Sequence, residues 1–216
     1  MKPLIVALVV ACICRCAAVA HGDPPISVHY DDHWQQTLDI YPAVTGCSPH
    51  AVVIFIHGGG WVSGDSSEVA SYVDSLLQRG FAVASINYRW ANNGTFPAQI
   101  YDCKGAVRWL RANAAAYDLD PDHFAAFGDS AGAHLAALLG TSGDVAALEG
   151  TVGGNLEFSS RVQAVGVFYG PIDLWIMGAI YNGPQSEISQ LIGWWIQDVI
   201  DHQNDPAYAD LVALVN

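Results

Sequence analysis

Two periodicities alternate along the chain from residue 51 onward. Ala51-Val-Val-Ile-Phe-Ile56 is an unbroken apolar run, which predicts a strand buried on both faces, as in a parallel sheet. Glu68 to Arg79 switches to helical spacing, with Val69, Tyr72, Val73, Leu76 and Leu77 on one face. Asp65 followed by Glu68 predicts a capping box, and Gly80 a C-terminal stop. Phe81 to Asn87 reads as the next strand. Pro97 to Ala114 reads as a helix whose stripe is Ile100, Cys103, Val107, Leu110 and Ala114. A short strand (Phe124 to Phe127), a helix (Ala131 to Leu139) and an apolar strand (Val162 to Tyr169) complete the series. Ile26 to Tyr30 and Gln36 to Tyr41 form two short strands before it, close enough for an antiparallel start. Strand and helix in alternation predict an α/β fold built on a mostly parallel sheet.

Chemistry concentrates at two turns. Gly128-Asp129-Ser130-Ala131-Gly132 matches G-x-S-x-G and lies between a predicted strand and a predicted helix. That setting makes Ser130 a candidate nucleophile on a sharp elbow, at the amino end of a helix where developing negative charge is favoured. His57-Gly58-Gly59-Gly60-Trp61 follows the buried strand directly. Glycines let backbone N–H groups turn inward without Cβ clashes, so Gly58, Gly59 and Ala131 are candidate oxyanion-hole donors. His57 is expected to brace its loop rather than to act as a base, and His134 to pack or brace likewise. Gly60, Trp61, Gly128, Asp129 and Gly132 support the two motifs.

With both motifs in this order, the chain resembles α/β-hydrolase esterases carrying HGGGW and GDSAG. It is most similar to the bacterial feruloyl or acetyl xylan esterase-like (BD-FAE) family. Phe96 to Lys104, Ala106 to Asn113, His134 to Ser142 and Gly170 to Leu174 carry the likeness further, with Ala133 and Ile172 as small departures. The resemblance implies an α/β-hydrolase fold and hydrolysis of small or polysaccharide-linked carboxylic esters through an acyl-enzyme, without cofactor or metal. Two other readings stay open. One is a kynurenine-formamidase-like amidase. The other is a binding relative without catalysis.

A serine hydroxyl needs a base, and the base an orienting acid. The resemblance places these after a seventh and an eighth strand, and the chain reaches Asn216 with neither in view. The expectation is a sheet lacking its last two strands. His202, the one histidine after His134, is a weak candidate base because it stands in a polar stretch from Asp198 to Asp205. Residues 171–206 are expected to form a cap rich in large apolar side chains (Trp175, Ile176, Met177, Tyr181, Leu191, Ile192, Trp194 and Trp195), some of which are candidates to line a pocket. Leu211 to Val215 is an alternative closing strand.

Composition narrows the setting. Lys2, the apolar stretch Pro3 to Ile13 and Ala18-Val19-Ala20 predict a signal peptide cleaved after Ala20, hence a secreted or periplasmic domain over 21–216. A lipidated Cys12 is the alternative. The apolar run is too short for a transmembrane helix. With 21 acidic and eight basic residues the chain repels phosphate backbones, which argues against nucleic acid as a partner. Of the cysteines outside residues 1–20, Cys103 is expected to be a buried thiol rather than to pair with Cys47.

Overall fold

The computed structural model describes residues 24–180, 183, 186–193 and 204–206. Its sheet has six strands in the order β1-β2-β4-β3-β5-β6: β1 Ile26–His29, β2 Thr37–Tyr41, β3 His50–Ile56, β4 Ala82–Ile86, β5 Leu119–Asp129 and β6 Ala164–Phe168. β1 pairs antiparallel with β2, and β2 antiparallel with β4. β4, β3, β5 and β6 are parallel neighbours. This is the α/β-hydrolase architecture, and the antiparallel start expected from the first two strands is present.

Helices follow the strands as the parallel connections require. α1 (Ala70–Leu77) begins as a 3₁₀ turn over Ser66–Val69. Asp65 caps that turn by accepting from Ser67 N–H, and Glu68 reaches back to the Asp65 N–H. α2 (Ala98–Ala112) starts one residue later than predicted, with Pro97 at its N-cap. α3 (Ala131–Thr141) leaves directly from Ser130. Two short helices, α4 (Leu174–Ile180) and α5 (Glu187–Ile192), lie in the segment expected to form a cap.

The main core fills the face of the sheet covered by α2 and α3. Ile54, Ile56, Ile86, Ile100, Cys103, Val107, Leu110, Leu135 and Leu139 are all buried there. A smaller cluster of Phe55, Val69, Val73 and Val83 lies under α1. Cys103 is a free, buried thiol whose pKa burial drives well above the ordinary range. Cys103 does not pair with Cys47.

One expectation needs correction. The strand predicted over 124–127 runs from Leu119 to Asp129, because His50 pairs with Leu119 across a register shift and pairing continues to Gly128 and Asp129. The apolar strand expected at 162–169 is present as β6, and it leaves Val165, Val167 and Phe168 exposed. Among the described residues β6 pairs only with β5, at the end of the sheet.

Few side chains are cationic, and several serve inside. Lys104 and Arg108, one turn apart on α2, are fully buried. Lys104 Nζ donates to the Ser142 carbonyl (2.7 Å) and to Glu149 Oε2 (3.1 Å). Arg108 donates to the other Glu149 oxygen and to the carbonyls of Glu149, Val152 and Gly154. Ser160 adds a hydroxyl donor to the same carboxylate. Burial raises the Glu149 pKa, but the Lys104 and Ser160 hydrogen bonds and the two cations outweigh it and hold the group below its ordinary 4.5. Removing one partner of such a cluster strands buried charge. Glu149→Ala is expected to lower unfolding stability by about 3 kcal/mol at neutral pH in denaturant titration. A folded pKa held down makes this contribution present above pH 4.5 and lost as acid protonates the carboxyl, so parent and variant converge at lower pH.

Candidate active site

The parallel strands β3, β4, β5 and β6 all end at one edge of the sheet, and the site forms there. β5 ends at Asp129 and α3 starts at Ala131, leaving Ser130 between them with φ 51° and ψ −120°. That conformation is strained for a residue with a Cβ, by about 1–3 kcal/mol. It is held because the Ser130 N–H donates to the Phe168 carbonyl of β6 (3.0 Å) and the Ser130 carbonyl accepts from His134 N–H (3.2 Å).

Two glycines of the elbow admit no side chain. A Cβ at Gly132 would stand 2.0 Å from the Ile56 carbonyl oxygen and 2.5 Å from that of His57. A Cβ at Gly128 would meet the same Ile56 oxygen at 2.5 Å. The elbow therefore packs backbone to backbone on the end of β3, and this brings the glycine loop to the serine. A Cβ at Gly58 would lie 3.1 Å from the Asp129 carbonyl oxygen and 3.3 Å from Ser130 Cβ.

The loop after β3 is tightly wound. Gly59, Gly60 and Trp61 all have positive φ (89°, 60° and 61°). The Gly59 carbonyl accepts from the N–H groups of Val62 (3.0 Å) and Ser63 (3.1 Å). The buried His57 ring stacks on Tyr88 at 4.4 Å, and its Nδ1 lies 2.9 Å from the Gly58 carbonyl. Burial lowers the His57 pKa against the opposing effects of that carbonyl, Asp65 and Asp129. Tyr88 hydroxyl donates to the carbonyls of both His57 and Gly58, at 3.0 Å each. Trp61 is buried and meets the His134 ring edge-on at 5.3 Å. The Tyr169 hydroxyl donates to Asp129 Oδ2 (3.1 Å).

Beside Ser130 lies a cavity of about 290 Å³. Gly60, Trp61 and Ala131 line its wall next to the serine, and Pro171, Met177, Glu187 and Ile188 close it from the segment after β6. No histidine lines it among the described residues. No group of three or more His, Cys, Asp or Glu side chains that could hold a metal occurs among the described residues.

The BD-FAE family model matches residues 38–210. The chain belongs to the BD-FAE family. It is 38% identical to the esterase LipQ of Mycobacterium tuberculosis over 124 residues, which cover 57% of this chain and 29% of LipQ. Among solved structures, the bifunctional GH43-CE protein of Bacteroides eggerthii superimposes with a TM-score of 0.74 at 40% identity, over 81% of this chain and 27% of that one. A truncated carbohydrate esterase from gut microbiota gives a TM-score of 0.73 at 33% identity, over 82% of this chain and 68% of that one. The chain thus spans less than a third of LipQ and of the GH43-CE protein.

Measured against this BD-FAE frame, Ser130, Gly58, Gly59, Gly60, Trp61, Ala131, Gly128, Asp129 and Gly132 converge at one sheet edge. His202, Tyr181, Trp194, Trp195 and Leu211 to Val215 lie outside the described residues, as does the segment 1–20. Leu191 and Ile192 are core residues, whereas Met177 does reach the cavity. Glu187 and Tyr88 went unnoticed in the sequence. A glutamate opening a short helix and a tyrosine ending a strand carry no local signal of a site.

Burial lowers the His134 pKa to about 4. The unfolded chain takes up a proton near the ordinary 6.5 that the folded chain refuses, so stability falls as pH drops from about 6.5 to about 4 and levels off below. Histidine-selective NMR is expected to find His134 neutral at pH 5. A midpoint near 6.5 would mean that the ring is hydrated.

Proposed function

We propose that this protein hydrolyses carboxylic esters through an acyl-enzyme on Ser130, with carbohydrate-linked esters as the substrate class. The observation that carries the reading is the contact of the glycine loop with the elbow, which puts Gly58 against Asp129 and Ser130. In a trans peptide the C=O and N–H point in opposite directions. Tyr88 holds the carbonyls of His57 and Gly58 on its own side, so the N–H groups of Gly58 and Gly59 turn away from it. The first N–H groups of a helix lack intrahelical acceptors, and Ala131 opens α3. Gly58, Gly59 and Ala131 together then supply donors for the oxyanion of a tetrahedral intermediate. Asp129 and His57 support the elbow and the loop. The base that takes the Ser130 proton comes from outside the residues lining the cavity, with His202 one candidate.

Support for the substrate class comes from the carbohydrate esterase of gut microbiota, similar over 82% of this chain. A cavity of about 290 Å³ beside the serine suits a small acyl group. Residues 1–20 act as a cleaved export signal in this reading. No described helix is long and apolar enough to cross a membrane.

A fluorophosphonate tests the reading, since it esterifies an activated serine. One adduct is expected, mapped by mass spectrometry to the peptide holding Ser130 and absent from Ser130→Ala. A folded chain that stays unmodified would sink the proposal. Tyr88→Phe is expected to slow adduct formation about tenfold, or roughly 1.4 kcal/mol, by releasing the two loop carbonyls. The same change leaves buried acceptors unpaired and lowers unfolding stability by about 1–3 kcal/mol. Equal adduct rates at lowered stability would remove Tyr88 from the site while leaving it in the core.

A further inference from the structure

Eight of the described residues line the cavity beside Ser130, and Glu187 is the one that carries charge. It stands first in α5 and is exposed. α5 is seated on the core by Ile188, Leu191 and Ile192, all buried. The Leu191 carbonyl also accepts from Phe96 N–H (2.8 Å). The stem of Glu187 lies across the glycine loop: a Cβ at Gly60 would stand 2.6 Å from its Cγ and 3.2 Å from its Cβ. None of the ion pairs among the described residues involves its carboxylate.

The charged groups around the site reinforce Glu187 rather than offset it. Burial lowers the pKa of His57 in the glycine loop and of His134 in α3, so neither ring is cationic at pH 7. Arg89, on the loop after β4, is committed to Asp102 (2.7 Å). The other ionisable groups are acids. Asp129 precedes the serine, and its Oδ2 would lie 3.1 Å from a Cβ at Gly58. Glu68, in the 3₁₀ turn before α1, would have its Oε1 3.0 Å from a Cβ at Gly64. Asp173 accepts from Ile176 N–H (2.9 Å) at the start of α4, which carries Met177 to the cavity. The whole chain has the same sign, at −13. A cleft bordered by one sign of charge concentrates the potential inside it.

We propose that Glu187 sets the charge preference of the Ser130 cavity. It favours an ester whose cavity-bound group carries an ammonium over a neutral group of the same shape, and it disfavours a carboxylate there. This rests on the esterase reading above and adds the charge of the substrate to it. A cation entering the cavity is attracted by Glu187, and an anion meets a repulsion that acts as selection against the wrong partner. One unit charge a few ångströms away, in a medium between protein and water, changes affinity about tenfold. On a carbohydrate, this ranks an amino sugar above a neutral one and a uronate last.

Three ligands of one shape test the assignment: choline, 3,3-dimethyl-1-butanol and 3,3-dimethylbutanoate, which are cationic, neutral and anionic. Met177 lines the cavity, and Met1 is the only other methionine in the chain. Methionine-methyl NMR of the full 216-residue chain therefore reads occupancy without any turnover. Choline is expected to bind about tenfold more tightly than the alcohol, and the carboxylate about tenfold more weakly. Glu187→Gln keeps the stem on Gly60 and removes the charge, so the three affinities are expected to fall within about threefold of one another. Glu157→Gln removes the same charge from an exposed position in the segment before β6 and is expected to keep the parent's order.

Equal affinities in the parent, or an order unchanged in Glu187→Gln, overturn the assignment. So does an order lost equally in Glu157→Gln, since net charge would then set the preference. A Met177 signal that answers none of the three ligands overturns it as well. An uncharged fluorophosphonate separates the two readings. An adduct at Ser130 without a charge preference removes the role of Glu187 alone. A Glu187-dependent preference without an adduct supports that role and removes the esterase reading.

Discussion

Backbone contact without side chains at Gly128 and Gly132 is the constraint on which the site depends. The Ile56 carbonyl oxygen occupies the space where either residue would carry a Cβ. Because nothing intervenes, the β5–α3 turn sits directly on the end of β3. The loop that continues β3 passes against the elbow, with Gly58 packed on Asp129 and Ser130. The strained serine, the helix amide end and the wound glycine loop follow from that single approach. The hydrogen bond from Ser130 N–H to Phe168 makes β6 the other support of the elbow.

Around this contact the fold uses its scarce charges as ties between segments distant in sequence. Asp102 of α2 is wholly buried and binds both the side chain and the backbone N–H of Arg89, along with Gln36. One carboxylate thereby joins the loops after β1 and β4 to a core helix. Glu149 does the same for the stretch between α3 and β6. A charged group taken out of water is expensive unless paired. These groups are paired several times over, and each fixes a connecting segment onto the core helix α2.

The order of strands and helices was legible in the sequence because burial on both faces leaves an unbroken apolar run, as at 51–56, and a helix leaves a stripe, as at 69–77. The elbow and glycine loop were legible because close backbone approach leaves glycine as the only residue that fits. The extent of β5 was hidden, since Pro121, Asp122 and His123 look like a turn and only pairing with β3 makes them strand. Tyr88, Gln35 and Glu187 act through partners 30 or more residues away, and no local pattern encodes such a partner.

The chain's second and last lysine, Lys104, is fully buried with its amine committed to Ser142 and Glu149. Amine-directed reagents therefore find no lysine to acylate on the described surface of the folded protein. Cross-linking, dye labelling and resin coupling through Lys104 would act on molecules in which α2 has already separated from its neighbours. Modification at this one position becomes a gauge of how often the interior opens.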